Sequence, residues 1–452
     1  MAETAHLPWL DSYPESLRWD TELATGPVNE LLDQSAQRFA DNPAIDFLGH
    51  KISYRELDRL VSRAAAGLQR LGVGPGVHVG LFLPNSPHYF IGFFGVLRAG
   101  GTVVNYSPLD AERTLAHKIE DSETDIMLTL DLESLYPRMA GMLGNSRLRH
   151  LVVGQLTEFC GPVSAAAAGQ LGPSVPVAMD AQTLSFASLL DNDGDYRAHP
   201  QGDPASSLAV LQYTGGTTGV PKGAMLTHAN ITASCSQLEA ILRDALEPGR
   251  ERVLAVLPPF HIYALMVNMI FGVRMGSEVY LHPRFDAESV LREIHDNRIT
   301  TFPGVPTMFI GLAAHPLTEQ LDLTSLKLCN SGGAPLPLEV QQRYSQMAGC
   351  ALREGWGMTE TTTAGTFTPR DGEPRPGSCG LPIPRAIIRI APLDGSPGSL
   401  PPGECGEVCI AGPNVTPGYW NRPDANESSF TDGWLHTGDA VRVDGEGYYY
   451  IV

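Results

Sequence analysis

Residues 213–223 read Tyr213-Thr-Gly-Gly-Thr-Thr-Gly-Val-Pro-Lys-Gly223 and follow directly on the apolar run LAVLQ at 208–212. Glycines and threonines in succession expose backbone N–H groups and hydroxyls, and Lys222 adds a point charge. Such a loop can wrap a polyphosphate, because each group donates to anionic oxygens without a rigid pocket. The nucleoside-triphosphatase pattern G-x-x-x-x-G-K-[ST] does not fit, since Lys222 lies between Pro221 and Gly223. A lone Gly-rich loop is usually a flexible connector; eleven residues of this composition behind an apolar strand point to phosphate binding.

On both sides of the loop, strand-like and helix-like patterns alternate. Ser53 and Glu56 are spaced as a capping box ahead of Leu57, Leu60, Val61, Ala64, Ala65, Leu68 and Leu71, a helical stripe that stops at Gly72. The apolar run 77–83, a helix over about 87–98 and a strand over 102–106 make one strand–helix–strand unit. Continuous apolar strands of this kind belong in a parallel sheet covered on both faces. Further strands are expected at 253–257, 278–281, 300–302 and 326–330. Residues 155–206, rich in Ala, Pro and polar residues, read as a long connection between two lobes. After about residue 365 short strands alternate with Pro and Gly, ending in a hairpin around Asp444-Gly445. The expected architecture is α/β: two mainly parallel sheets flanked by helices, plus a small distorted β-barrel subdomain. Its parts are residues 1–205, 206–365 and 366–452.

Composition narrows the function classes. Apolar residues are 43 % and charged residues 18 % of 452, enough for a large core, so the 47 Gly and 36 Pro belong in loops. A net charge of −19 without a Lys/Arg run argues against nucleic acid as a partner. Seven scattered cysteines fit a reduced, cytoplasmic chain, and their spacing does not suggest zinc. The most apolar stretch, 89–106, is broken by four glycines and Arg98, so no integral membrane segment is expected.

Five more stretches follow the loop: LPPFHIYAL (257–265), NSGGAPL (330–336), EGWGMTET (354–361), GEVCIAGPNVTPGYW (406–420) and LHTGDA (435–440). Together and in this order they resemble the motifs of the acyl-adenylate-forming (AMP-binding) superfamily, of the fatty acyl-CoA synthetase type. The resemblance implies ATP-dependent conversion of a carboxylic acid, a medium- or long-chain fatty acid first, to acyl-adenylate and then acyl-CoA, with ATP, Mg²⁺ and coenzyme A. Other readings stay open: an aromatic or dicarboxylic acid ligase, a carrier-protein-loading ligase, or a non-catalytic acyl or nucleotide-binding module. A homodimer is left open as well.

The resemblance also assigns residues. Thr214, Gly215, Gly216, Thr217, Thr218, Gly219 and Lys222 would hold phosphates. Gly332, Gly333 and Ala334 on one side, and Glu354, Gly355, Trp356, Gly357 and Met358 on the other, would enclose adenine. Trp356 stands where Tyr is usual, keeping the aromatic face but not the hydroxyl. Thr359 would contact the α-phosphate, Glu360 would hold Mg²⁺ and Asp439 the ribose hydroxyls. Thr214, Lys222, His261 and Glu360 form the expected catalytic set.

His261 bears on the substrate. Amino-acid-activating relatives place an Asp here to pair with an ammonium, whereas a neutral His can only line a channel or contact a carboxylate or thioester. A satisfied core histidine is the competing reading. Tyr263, Gly304, Val305, Gly332 and Gly357 complete the expected acyl site. Arg274 could anchor a second carboxylate or simply be ion-paired. The sequence stops at YYYIV (448–452), where relatives continue into a small C-terminal domain carrying a catalytic Lys. The expectation is the large portion of such an enzyme, binding nucleotide but completing the reaction poorly.

Overall fold

The computed structural model describes residues 7–160, 172–199, 202–215, 220–370 and 375–452. The expected residues Gly216, Thr217, Thr218 and Gly219 lie outside that set. Among the described residues, two seven-stranded sheets dominate. The first runs Thr183–Ser185, His150–Gly154, Thr124–Leu130, His78–Leu81, Thr102–Asn105, Leu208–Thr214, Lys222–Thr227; all neighbours are parallel except the last pair. Its strands are apolar along their length because helices cover both faces. The helix Tyr54–Arg70 starts where expected: the Ser53 hydroxyl accepts from the Glu56 N–H at 3.2 Å. It packs on Pro87–Arg98, every residue of which is buried.

The second sheet runs Leu352–Glu354, Leu328–Ser331, Thr301–Gly304, Arg252–Ala255, Glu278–Leu281, Pro43–Phe47, His50–Ser53. The expected division at residue 205 is therefore a division of the chain and not of the sheets. Residues 43–53 add two strands to the second sheet, and 208–227 add two to the first. This exchange knits the lobes, because each sheet gains an edge from the other half of the sequence. Within the expected connection, Thr183–Ser185 is a strand of the first sheet and Phe186–Leu189 a helical turn.

Alternation along the second sheet separates two environments. Leu254, Val256, Tyr280, Phe302, Cys329 and Leu352 share a core with Val290, Leu291, Phe309 and Tyr344 from the helices on one face. Val253 and Ala255 join the larger core on the other. The remaining residues form a third unit. Antiparallel strands Ile387–Ala391, Cys405–Ala411, Trp434–Val443, Phe430–Thr431 and Tyr449–Ile451 curl into a half-barrel, with the expected hairpin joining the long strand to the last. No helix among the described residues is long and apolar enough to cross a membrane.

Candidate active site

The strands Leu208–Thr214 and Lys222–Thr227 are antiparallel, so Thr214 faces Lys222 in register where the hairpin opens. The segment 414–420 lies alongside: Met225 donates its N–H to the Gly418 carbonyl at 2.9 Å, and Trp420 donates to that of Gly223 at 2.8 Å. This brings the Tyr419 ring under the Lys222 ammonium, 5.0 Å from the centroid. The Tyr419 hydroxyl donates to Glu360 Oε1 at 2.7 Å. Glu360 is only 4 % exposed, on the short turn Thr359–Thr361. Burial pushes its pKa up; the Tyr419 hydrogen bond and Lys222 pull it down, and Asp439 adds to the rise.

That turn is built under strain. Thr362 and Thr363 have φ of 49° and 97°, unusual for β-branched residues. Asn414 secures it, donating from Nδ2 to the carbonyls of Thr361 and Ala364, each at 2.9 Å. Gly357 has no alternative, since a Cβ there would lie 1.8 Å from the Thr363 carbonyl oxygen. A tight turn thus carries Thr359 and Glu360 together on the loop after Leu352–Glu354.

Asp439 sits in a bulge of the long strand Trp434–Val443, where register is lost opposite residues 407–409. Glu407 Oε1 accepts from the Gly438 N–H at 2.9 Å and so holds the bulge. Glu407 Oε2 and Cys409 Sγ both approach His436 Nδ1, at 3.0 and 3.4 Å. These are three metal-ligand types in one place. Arg389 is also beside Cys409, and the His436–Glu407 hydrogen bond accounts for the geometry. Trp356, 6 % exposed, donates its indole N–H to Asp439 Oδ2 at 2.8 Å.

A cavity of about 790 Å³ opens next to this cluster. Its lining includes His261, Tyr263, Val305, Gly332, Gly333 and the run 355–359. Val253, Thr301 and Leu328 of the second sheet line it too, as do Leu238, Ile241 and Leu242 of the helix His228–Leu242. The lining is largely apolar. His261 is exposed on this lining but flanked by protein. Burial, and then Lys118, lower its pKa and keep the imidazole neutral near pH 7. Tyr263 donates to the Asn330 carbonyl at 3.1 Å, and a Cβ on Gly332 would meet its ring at 3.1 Å.

Some expected residues play supporting parts. Glu354 Oε2 accepts from the Leu336 N–H at 3.0 Å, anchoring the 332–336 loop. Gly304 accepts from Gly332 N–H at 3.1 Å. Ala334 is exposed beyond the lining. Arg274 is ion-paired with Glu239 at 3.0 Å, away from the cavity. Tyr419 and Asn414 are functional candidates to which the motifs assign no role; both lie within 406–420, but a hydrogen bond across 59 residues has no local signature.

A model of the AMP-binding enzyme family matches residues 32–420. The chain belongs to that family. The long-chain-fatty-acid–CoA ligase of Bacillus subtilis is 37 % identical over 98 % of this chain and 79 % of its own length. A feruloyl-CoA synthase of Amycolatopsis is 34 % identical over 89 % of this chain and 74 % of its own. ATP-bound MatB from Rhodopseudomonas palustris superposes with a TM-score of 0.77 at 28 % identity, covering 94 % of this chain and 78 % of that one. A long-chain-fatty-acid-CoA ligase from Archaeoglobus fulgidus shares the fold at TM-score 0.82 and 24 % identity, over 96 % of this chain and 85 % of that one. The enzyme's buried carboxylate suits a Mg²⁺-bound nucleotide: Tyr419 takes one oxygen of Glu360, and a hard cation with phosphate oxygens would compensate the buried charge.

Proposed function

We propose that this chain activates a long-chain fatty acid with ATP, forming an acyl-adenylate and pyrophosphate, and then an acyl-CoA thioester and AMP. The observation that carries the reading is the junction of two unlike sites. A polar cluster built from Lys222, Glu360 and Asp439 adjoins a large, mostly apolar cavity. Burying methylenes along that cavity contributes roughly 0.8 kcal/mol each, which favours a long aliphatic tail over a short or doubly charged acid.

In this reading a carboxylate oxygen attacks the α-phosphorus, and the bond to pyrophosphate breaks as the new P–O bond forms. The thiol sulfur then attacks the acyl carbon, and AMP leaves. Mg²⁺, when bound, neutralises phosphate charge. The chain's own residues position the reactants: Lys222 and Thr214 face the leaving phosphates, Glu360 the cation, Asp439 the ribose and Trp356 the base. Neutral His261 in the cavity lining contacts the carboxyl group without competing for the tail's apolar wall. Tyr263, Gly332 and Val305 border the carboxyl end of the tail.

Pyrophosphate release over a panel of aliphatic, aromatic and dicarboxylic acids, with thioester formation followed in parallel, tests this reading. Preference for long aliphatic acids is expected. Release with aromatic acids only, or with none, would overturn it.

A further inference from the structure

Resting on that nucleotide-site reading, we infer that Trp356 is a positioning residue for ribose, acting through its hydrogen bond to Asp439 as well as through its aromatic face. The indole N–H lies 2.8 Å from Asp439 Oδ2, the distance of a charge-assisted hydrogen bond. The two residues are 83 positions apart and come from different units, the 355–359 run and the bulged strand of the half-barrel. Without a tie, a carboxylate on a bulge has rotamers to choose from. The indole selects one.

The Trp itself is held on three sides. Its backbone N–H donates to Thr366 Oγ1 at 3.0 Å, and Thr366 N–H returns to its carbonyl at 3.0 Å. Gly365 packs against its six-membered ring so closely that a Cβ there would lie 2.3 Å away. The ring is therefore fixed before any ligand arrives, and it transmits that order to Asp439. A carboxylate offers about four lone-pair positions, and the indole takes one, so acceptor capacity remains for both ribose hydroxyls. A phenyl ring here preserves an aromatic face but leaves Asp439 untethered.

The experiment compares equilibrium binding of ATP and 2′,3′-dideoxy-ATP to the intact chain and to Trp356→Phe. ATP affinity should fall about tenfold, the lower end of the effect of a hydrogen bond to a charged group. Affinity for the dideoxy nucleotide, which cannot use Asp439, should hold within about twofold, which also verifies folding. In an Asp439→Ala background the Trp356→Phe replacement should have no further effect on ATP. Benzothienylalanine at 356, which keeps the ring shape but lacks the N–H, should reproduce the Phe result even if Phe packs poorly. Equal losses for both nucleotides, or no loss for ATP, would overturn the inference. Failure of the unaltered chain to bind either nucleotide would overturn the nucleotide-site reading itself, and this inference with it.

Discussion

The two large sheets obey the same physics and end in opposite states. In the first, strand His78–Leu81 is buried throughout and its neighbours fill both faces with side chains; a Cβ on Gly92 would lie 2.7 Å from Leu128. In the second, one face is equally filled, but the other is filled only in part: Val253 and Ala255 join the larger core, while Val253, Thr301 and Leu328 also border a largely apolar volume of about 790 Å³. Close packing is the default of protein interiors. An apolar space of this size beside a polar cluster is thus the part of the fold reserved for something other than the chain. Ligand sites of this family of shapes combine apolar walls with a few convergent polar groups.

Matched substitutions should separate the two faces. Leu128→Ala in the filled sheet should lose about 2–5 kcal/mol of unfolding free energy, whereas Val253→Ala should lose about 1 kcal/mol or less, since Val253 borders the cavity on one side. Urea denaturation measures both; equal losses would mean the cavity face is packed like the other. Enlargement should invert the pattern. Val79→Phe should destabilise by about 1–3 kcal/mol, while Val253→Phe should leave stability within about 1 kcal/mol and weaken long-chain acid binding about tenfold. Unchanged long-chain affinity in Val253→Phe would place the acyl tail elsewhere.

The smallest effect concerns pH at the boundary between the lobes. Burial raises the pKa of Glu360, so this carboxyl takes up a proton on acidification while ordinary glutamates are still ionised. The protonated form no longer attracts a cation. Affinity for Mg²⁺-ATP should therefore fall by a few-fold as pH drops toward the usual glutamate range, beginning above it. Glu360→Gln should bind weakly and show a flattened profile over the same interval. An unaltered profile in that variant would assign the titration to another group.

Local patterns were legible wherever the cause was local. The Ser53 cap, the helix Pro87–Arg98 and the strand Glu278–Leu281 follow from spacing alone. The hairpin at Asp444-Gly445 does too. The bulge at Asp439 was less so: Thr-Gly-Asp reads as a turn, and only the mismatch with the partner strand turns it into a bulge within a strand. The strand exchange between lobes was hidden for a similar reason. Pro43–Phe47 pairs with Glu278–Leu281, more than 200 residues away, and apolar strands do not name their neighbours.

By itself the sequence determined the alternation of elements, the order of the six motifs and the chemical types available: a Gly/Thr loop with Lys222, a carboxylate at 360, an aromatic at 356, an imidazole at 261. These depend on spacing and residue chemistry, which are properties of short stretches. Only the tertiary structure decided which atoms meet. Tyr419 on Glu360, Trp356 on Asp439, and the apolar space behind His261 arise from long-range packing, where strand pairing and close approach select among arrangements that local propensity leaves equivalent.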